Sequence, residues 1–245
     1  MPHLTRRRFL VISAGLPALA ALPARANAPY RWHGIALGAE AEILIDHPDA
    51  AAITARAAFE IARLENIFSL YRGDSALSQL NTAGHLDAPP FELLECLALS
   101  GQVHAATDGL FDPTIQPLWA LYANRFSAGT APSSADLTQT LSRVGWQGVR
   151  FDEASIQMRP GMSVTLNGIA QGYVADRIAA MLRAEGLSNL LVNTGEFRAL
   201  GTTPDGASWP IHLTSGGTVG LQDRALASSA TLGTTFDQAG TAGHI

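Results

Sequence analysis

Three short segments carry residue types whose order suits the binding of a charged or planar group. In Leu166-Asn-Gly-Ile-Ala-Gln-Gly-Tyr173 a predicted strand enters a predicted helix through Gly168, with Gly172 one turn later. Free backbone N–H groups and the positive end of the helix dipole gather at such a start, which suits a phosphate. The spacing is not the Gly-x-Gly-x-x-Gly dinucleotide fingerprint, and a tight turn with close helix packing accounts for it equally well. In Thr107-Asp-Gly-Leu-Phe-Asp-Pro-Thr114 a glycine is followed by an aromatic, a carboxylate and a stiffening proline. Main-chain groups and Asp112 on such a loop can grip a planar heterocycle, and an Asx turn ahead of Pro113 explains the same residues without a ligand. Tyr71, beside Arg72 and ahead of a helix cap, offers a ring that either stacks on a base or covers a core edge.

Several chemistries are excluded. All 16 basic residues of the 245-residue chain are arginine, so there is no Schiff-base lysine and no lysine-bearing phosphate loop. The seven histidines show no metal-ligand spacing and there is one cysteine, so neither a zinc site nor a serine triad is supported. Cys96 stands in an apolar helical run and reads as core. A bound metal would be a hard cation such as magnesium on oxygen ligands.

The elements that must position these residues follow from periodicity. Tyr30 to Asp46 predicts one or two strands with a turn, and Asp49 opens a helix over about Ala50 to Phe68 with Ile53, Ala57, Ile61, Leu64 and Ile67 or Phe68 on one face. A short capped turn of helix follows at Asp74 to Asn81, a second amphipathic helix at about Phe91 to Ala106, and a third from Ser133 or Ser134 to near Gly145. Val149 to Met158 and Ser163 to Leu166 predict a hairpin around Pro160-Gly161, and a helix runs from about Ile169 to Glu185. Asn189 to Asn193, Phe197 to Leu200, Trp209 to Thr214 and Thr218 to Ser229 read as strands. Helices crowd the first half and strands the second without βαβ alternation, which indicates an α+β fold.

Composition, at 47% apolar and 15% charged, is that of a globular domain. Residues 1–28 stand apart. Thr5-Arg-Arg-Arg-Phe-Leu10 is a twin-arginine n-region, an apolar run reaches Leu22, and Ala24-Arg-Ala26 or Ala26-Asn-Ala28 offers a cleavage site. The apolar run, of about 13 residues, is shorter than the roughly 20 that span a bilayer, so the segment reads as an export signal to the periplasm rather than an anchor. Removing it takes four arginines and no acid, which leaves a formal charge of −9 and argues against a nucleic-acid partner.

Four blocks, in order, resemble the ApbE family of FAD:protein FMN transferases: Tyr71-Arg-Gly-Asp-Ser-Ala-Leu-Ser-Gln-Leu-Asn81, Gly109-Leu-Phe-Asp-Pro-Thr114, Asn167-Gly-Ile-Ala-Gln-Gly-Tyr-Val-Ala-Asp176 and Leu191-Val-Asn-Thr-Gly-Glu-Phe-Arg-Ala-Leu-Gly201. The resemblance starts near Gly34 to Ile45 and runs to Ile245. Gln171, the Gly195-Glu196 pair and the twin-arginine signal are most similar to the branch associated with nitrous-oxide reductase maturation.

The resemblance implies a single ApbE-like, T-fold-related α+β domain over residues 29–245. It also implies magnesium-dependent transfer of FMN from FAD to a threonine hydroxyl of an exported or membrane electron-transfer protein, possible partners including a membrane-bound flavoprotein of nitrous-oxide respiration. A periplasmic FAD-binding carrier or maturation factor without catalysis is the alternative. By the same resemblance Tyr71, Leu110, Phe111, Asp112, Thr165 and Gln171 contact FAD, the carbonyl of Gly168 serves the metal, and His244 activates the acceptor hydroxyl. Thr165 stands where the family usually has Asp, and Gln171 where it has Lys or Glu. Relatives continue beyond His244-Ile245 with further metal ligands, so the chain is expected to be a C-terminally incomplete piece of a longer reading frame.

Overall fold

The structure, a computed structural model, describes residues 28–230, 235–237 and 240–243. The export signal, expected at residues 1–28, and His244 therefore lie outside the described residues, apart from Ala28. The chain forms two compact units, each built from separated stretches: residues up to Ala62 with Gln171–Ser229, and Arg63–Ala170 with Ala230–Ile245.

The first unit is organised by an antiparallel sheet. Strands β1 (Tyr30–Ala36) and β2 (Ala39–Ile45) form a hairpin, followed in sheet order by β6 (Leu190–Asn193), β7 (Phe197–Leu200) and β10 (Ala225–Leu226). A two-stranded ribbon of β8 (Trp209–His212) and β9 (Thr218–Leu221) completes its strands. Leu44, Leu191, Ala199, Trp209, Ile211 and Leu221 form one buried cluster, with Phe197 and Leu226 packed against it. Trp209 is buried with its one donor satisfied, Nε1–H bonding the Leu200 carbonyl at 3.2 Å.

Helix α1 (Ala50–Phe68) starts in the first unit and ends in the second, and it buries the face expected of it: Ile53, Ala57, Ile61, Leu64, Ile67 and Phe68. Helix α6 (Ala170–Ala184) begins at the last residue of the second unit's central stretch and continues in the first. The Arg56 guanidinium pairs with Glu185 just past its end.

The second unit holds α2 (Ala76–Ala83), α3 (Phe91–Ala106), α4 (Gln116–Ser127), α5 (Ser134–Leu141) and a small antiparallel sheet of β3 (His85–Asp87), β5 (Ser155–Met158) and β4 (Val149–Phe151), in that order. Ser75 caps α2 by accepting the Ser78 N–H, and Gly84 closes it at φ +75. α5 opens with a capping box between Ser133 and Asp136, and Asp136 also takes the Arg125 guanidinium, which together hold its carboxyl below the ordinary range. Cys96 is fully buried in α3, and burial pushes its thiol up to about 12, as a core residue requires.

Helices α1–α5 precede residue 142, strands β4–β10 follow residue 148, and every described strand pair is antiparallel, so the fold is α+β. Three local expectations are corrected. The predicted hairpin is formed by β4 and β5, its turn held by Asp152 Oδ1, which accepts the Ala154 and Ser155 N–H groups at 2.9 Å. Ser163 to Leu166 is not a strand, because a side chain and a distant carbonyl satisfy its backbone, as described below. Thr218 to Ser229 is two strands in different sheets, broken at Asp223, whose φ is +51. The segment around Trp119 and Tyr122, for which the sequence pattern predicts no element, forms α4, whose first turn carries Pro117.

Candidate functional site in the second unit

Two side-chain devices fix the segment that leads into α6. Asn81, at the end of the first motif, bonds both backbone groups of Val164: its Nδ2 donates to the Val164 carbonyl at 2.8 Å and its Oδ1 accepts the Val164 N–H at 2.7 Å. The next residue, Thr165, donates its N–H to the Pro113 carbonyl at 2.8 Å, so the second motif holds the third. Thr165 Oγ1 then accepts the Asn167 N–H at 3.2 Å, and the Ile169 and Ala170 N–H groups return to the Leu166 carbonyl. The chain is thereby turned into α6 with Asn167 and Gly168 exposed at its head.

Phe111 and Tyr71 stand at the same turn. A Cβ added to Gly168 would lie 3.2 Å from the Phe111 ring, tighter than ordinary contact, so the glycine lets ring and backbone approach closely. The Tyr71 hydroxyl shares a side-chain hydrogen bond with Asn167. Partial burial raises the Tyr71 phenol above its ordinary value and the Asn167 bond opposes that, while 53% of the residue remains exposed. Three segments far apart in sequence thus meet at one turn.

Asp112 is the N-cap of a 3-10 turn at Pro113–Ile115. Its Oδ1 accepts both the Thr114 N–H at 2.8 Å and the Thr114 hydroxyl at 2.6 Å, and Thr114 Oγ1 accepts the Gly145 N–H at 2.7 Å. The Asx turn read from the sequence is therefore present. Both bonds fall on Oδ1, and among the described residues none falls on Oδ2. Leu110 is 92% exposed.

Gln171 belongs to the first unit, three residues along the chain from Gly168. The Thr194 hydroxyl donates to its carbonyl at 2.8 Å, and a Cβ on Gly195 would fall 2.5 Å from its Nε2. Gly195, at φ +98 and held by its N–H to Asn193 Oδ1 at 3.0 Å, is what lets the Gln171 side chain lie there. Glu196 follows; burial raises its carboxyl above the ordinary range, opposed by the Ser228 N–H that it accepts at 3.0 Å.

A family model described as the ApbE family matches residues 37–245. The chain belongs to the ApbE family. Among curated relatives, a FAD:protein FMN transferase of Klebsiella pneumoniae (strain 342) is 27% identical over 230 residues, covering 89% of this chain and 71% of its own length. One of Chlamydia pneumoniae is 28% identical over 68% of this chain and 55% of its own, and one of Escherichia coli (strain K12) is 26% identical over 61% and 45%. The chain thus spans about half the length of the latter two. Among solved structures, the ApbE flavinyl transferase of Pseudomonas stutzeri in its apo form superimposes with a TM-score of 0.71 at 25% identity, covering 82% of this chain and 70% of that one. Flavin transferase ApbE from Vibrio cholerae gives 0.72 at 22% identity over 86% and 73%, and the ApbE protein of Thermotoga maritima 0.74 at 22% over 83% and 71%.

Within this ApbE chain, Tyr71, Phe111, Thr165 and Gly168 come together, Leu110 and Asp112 flank Phe111, and Gln171 packs on the Asn193–Glu196 turn of the first unit. Asn81, His104, Thr107, Thr114 and Asn167 were not singled out in the sequence, although they hold the loop and turn in place. Asn81, Thr107, Thr114 and Asn167 lie inside the motif segments and His104 lies outside them, and the partner of Asn81 is 83 residues away. Magnesium would need several hard oxygen ligands. Among the described residues no group of three or more His, Cys, Asp or Glu stands where it could hold a metal ion. One Gly168 carbonyl does not make such a site.

Proposed function

We propose that this ApbE member is a FAD:protein FMN transferase acting in the periplasm, with a threonine hydroxyl of an exported or membrane electron-transfer protein as acceptor. The carrying observation is the convergence of Tyr71, Phe111 and the Asn167–Gly168 turn from three separate motifs, in a chain whose curated relatives bear that name. In this reading Tyr71, Leu110 and Phe111 supply aromatic and apolar surface for the flavin nucleotide, and Asp112 Oδ2 remains to accept a bond from it. The positive end of the α6 dipole, at the exposed Asn167–Gly168 turn, faces the pyrophosphate, which matters in a chain with no lysine.

The reaction joins the acceptor hydroxyl oxygen to the FMN phosphorus and breaks the bridging P–O bond, so that AMP departs. The hydroxyl proton passes to a base, the role proposed for His244. Positioning and neutralisation of the non-bridging oxygens supply most of the acceleration in such transfers. Magnesium dependence and the link to nitrous-oxide respiration belong to the proposal through family resemblance. Among the described residues no helix is long and apolar enough to cross a membrane.

The test is to incubate the protein with FAD, magnesium and a threonine-bearing acceptor, with and without chelator. FMN on the acceptor, lost with chelator and with His244→Ala, is expected. Binding of FAD with no change in acceptor mass would make the protein a flavin carrier instead.

A further inference from the structure

The loop between α3 and the 3-10 turn is closed by hydrogen bonds from both the backbone and two side chains. Asp108 and Gly109 take left-handed φ values of +51 and +83, uncommon for the first and freely open to the glycine. The Gly109 N–H bonds the His104 carbonyl at 2.8 Å and the Leu110 N–H the Thr107 carbonyl at 3.1 Å. Both backbone groups of Phe111 are then taken by side chains: its N–H donates to Thr107 Oγ1 at 3.1 Å, and its carbonyl lies 2.8 Å from His104 Nδ1. A carbonyl only accepts, so the His104 Nδ1 carries the proton. The imidazole meets the Trp146 ring at a centroid distance of 6.3 Å, and a Cβ on Gly109 would stand 3.4 Å from its Cε1. All this restraint surrounds Leu110, which is 92% exposed and so contributes almost nothing to the core.

We propose that His104 and Thr107 are positioning residues for the flavin nucleotide: by fixing the Phe111 backbone they hold the exposed Leu110 and the Phe111 ring, beside Gly168, in a preformed contact surface. The assignment rests on the flavin-transfer reading of the site. A restrained loop loses little conformational freedom when the nucleotide arrives, so the effect falls on binding rather than on the chemical step.

The test compares two matched pairs in the full chain. His104→Asn keeps an N–H donor close to the Nδ1 position, whereas His104→Gln moves it outward; Thr107→Ser keeps the hydroxyl, whereas Thr107→Val removes it. Chymotryptic cleavage at Leu110 or Phe111 reads the loop itself, and steady-state FMN transfer reads its consequence. His104→Gln and Thr107→Val are expected to speed cleavage and to raise KM for FAD about tenfold with kcat within about twofold, and His104→Asn and Thr107→Ser to stay near wild type. Equal behaviour within each pair, or faster cleavage with KM unchanged in an active protein, would overturn the inference. A wild type that is normally resistant to cleavage but neither binds nor transfers flavin would instead overturn the flavin reading and this inference with it.

Discussion

At the residue scale the site depends on a few side chains whose neighbours set their behaviour. Tyr71 keeps half its surface exposed while Asn167 orients its hydroxyl, an arrangement suited to stacking. Tyr71→Ala is expected to weaken FAD binding by about tenfold in a fluorescence titration, with Tyr71→Phe retaining most of the affinity because the ring survives. Gly195→Ala forces a Cβ onto φ +98 and into the Gln171 amide. A loss of about 1–2 kcal/mol is expected in urea unfolding, together with displacement of Gln171. Glu196 has a carboxyl raised in the fold by burial, so the folded state binds the proton more tightly than the unfolded chain. Its contribution is therefore present below the ordinary carboxylate value of 4.5 and is lost as pH rises through the folded value. Glu196→Gln is expected to be more stable than wild type at pH 7, the difference closing toward pH 4, in paired thermal melts. The types at Tyr71, Phe111, Asp112 and Gly168 were legible in sequence because they sit in motifs. The roles of Asn81 and His104 were not, since a side chain that bonds a distant or looped backbone leaves no periodic mark.

Among the elements, amphipathic helices were read most accurately. α1 and α3 have the limits that their apolar spacing predicts, and α6 differs by a residue at each end, because one buried face repeating at helical spacing defines a helix without reference to the rest of the chain. α4 escaped notice because none of its residues is fully buried and its aromatic face, Trp119, Tyr122 and Phe126, is covered by Phe236 from the far end of the chain. The stretch Ser163 to Leu166 misled for the opposite reason: alternating apolar residues resemble a strand, yet Asn81 and Pro113 take the hydrogen bonds that a strand partner would. Asn81→Ala should therefore leave the backbone groups of the buried Val164 unpaired and lower stability by about 2 kcal/mol in chemical unfolding. It should also raise KM for FAD, since the same segment sets the turn at Gly168. Unchanged stability would show that the segment holds itself.

For the whole molecule, the α+β class and the family were legible from the order of elements and motifs, whereas the division into two units, each made of non-contiguous stretches, was not. Nothing local marks Ala62, which lies inside α1, or Ala170, the first residue of α6. Flavin transfer by this chain is tested most directly by intact-mass measurement of a threonine-bearing acceptor incubated with the protein, FAD and magnesium. One FMN added per acceptor with release of an equal amount of AMP is expected, abolished when the target threonine is replaced by alanine. An acceptor of unchanged mass, under conditions in which the Vibrio cholerae flavin transferase modifies it, would overturn flavin transfer as the function.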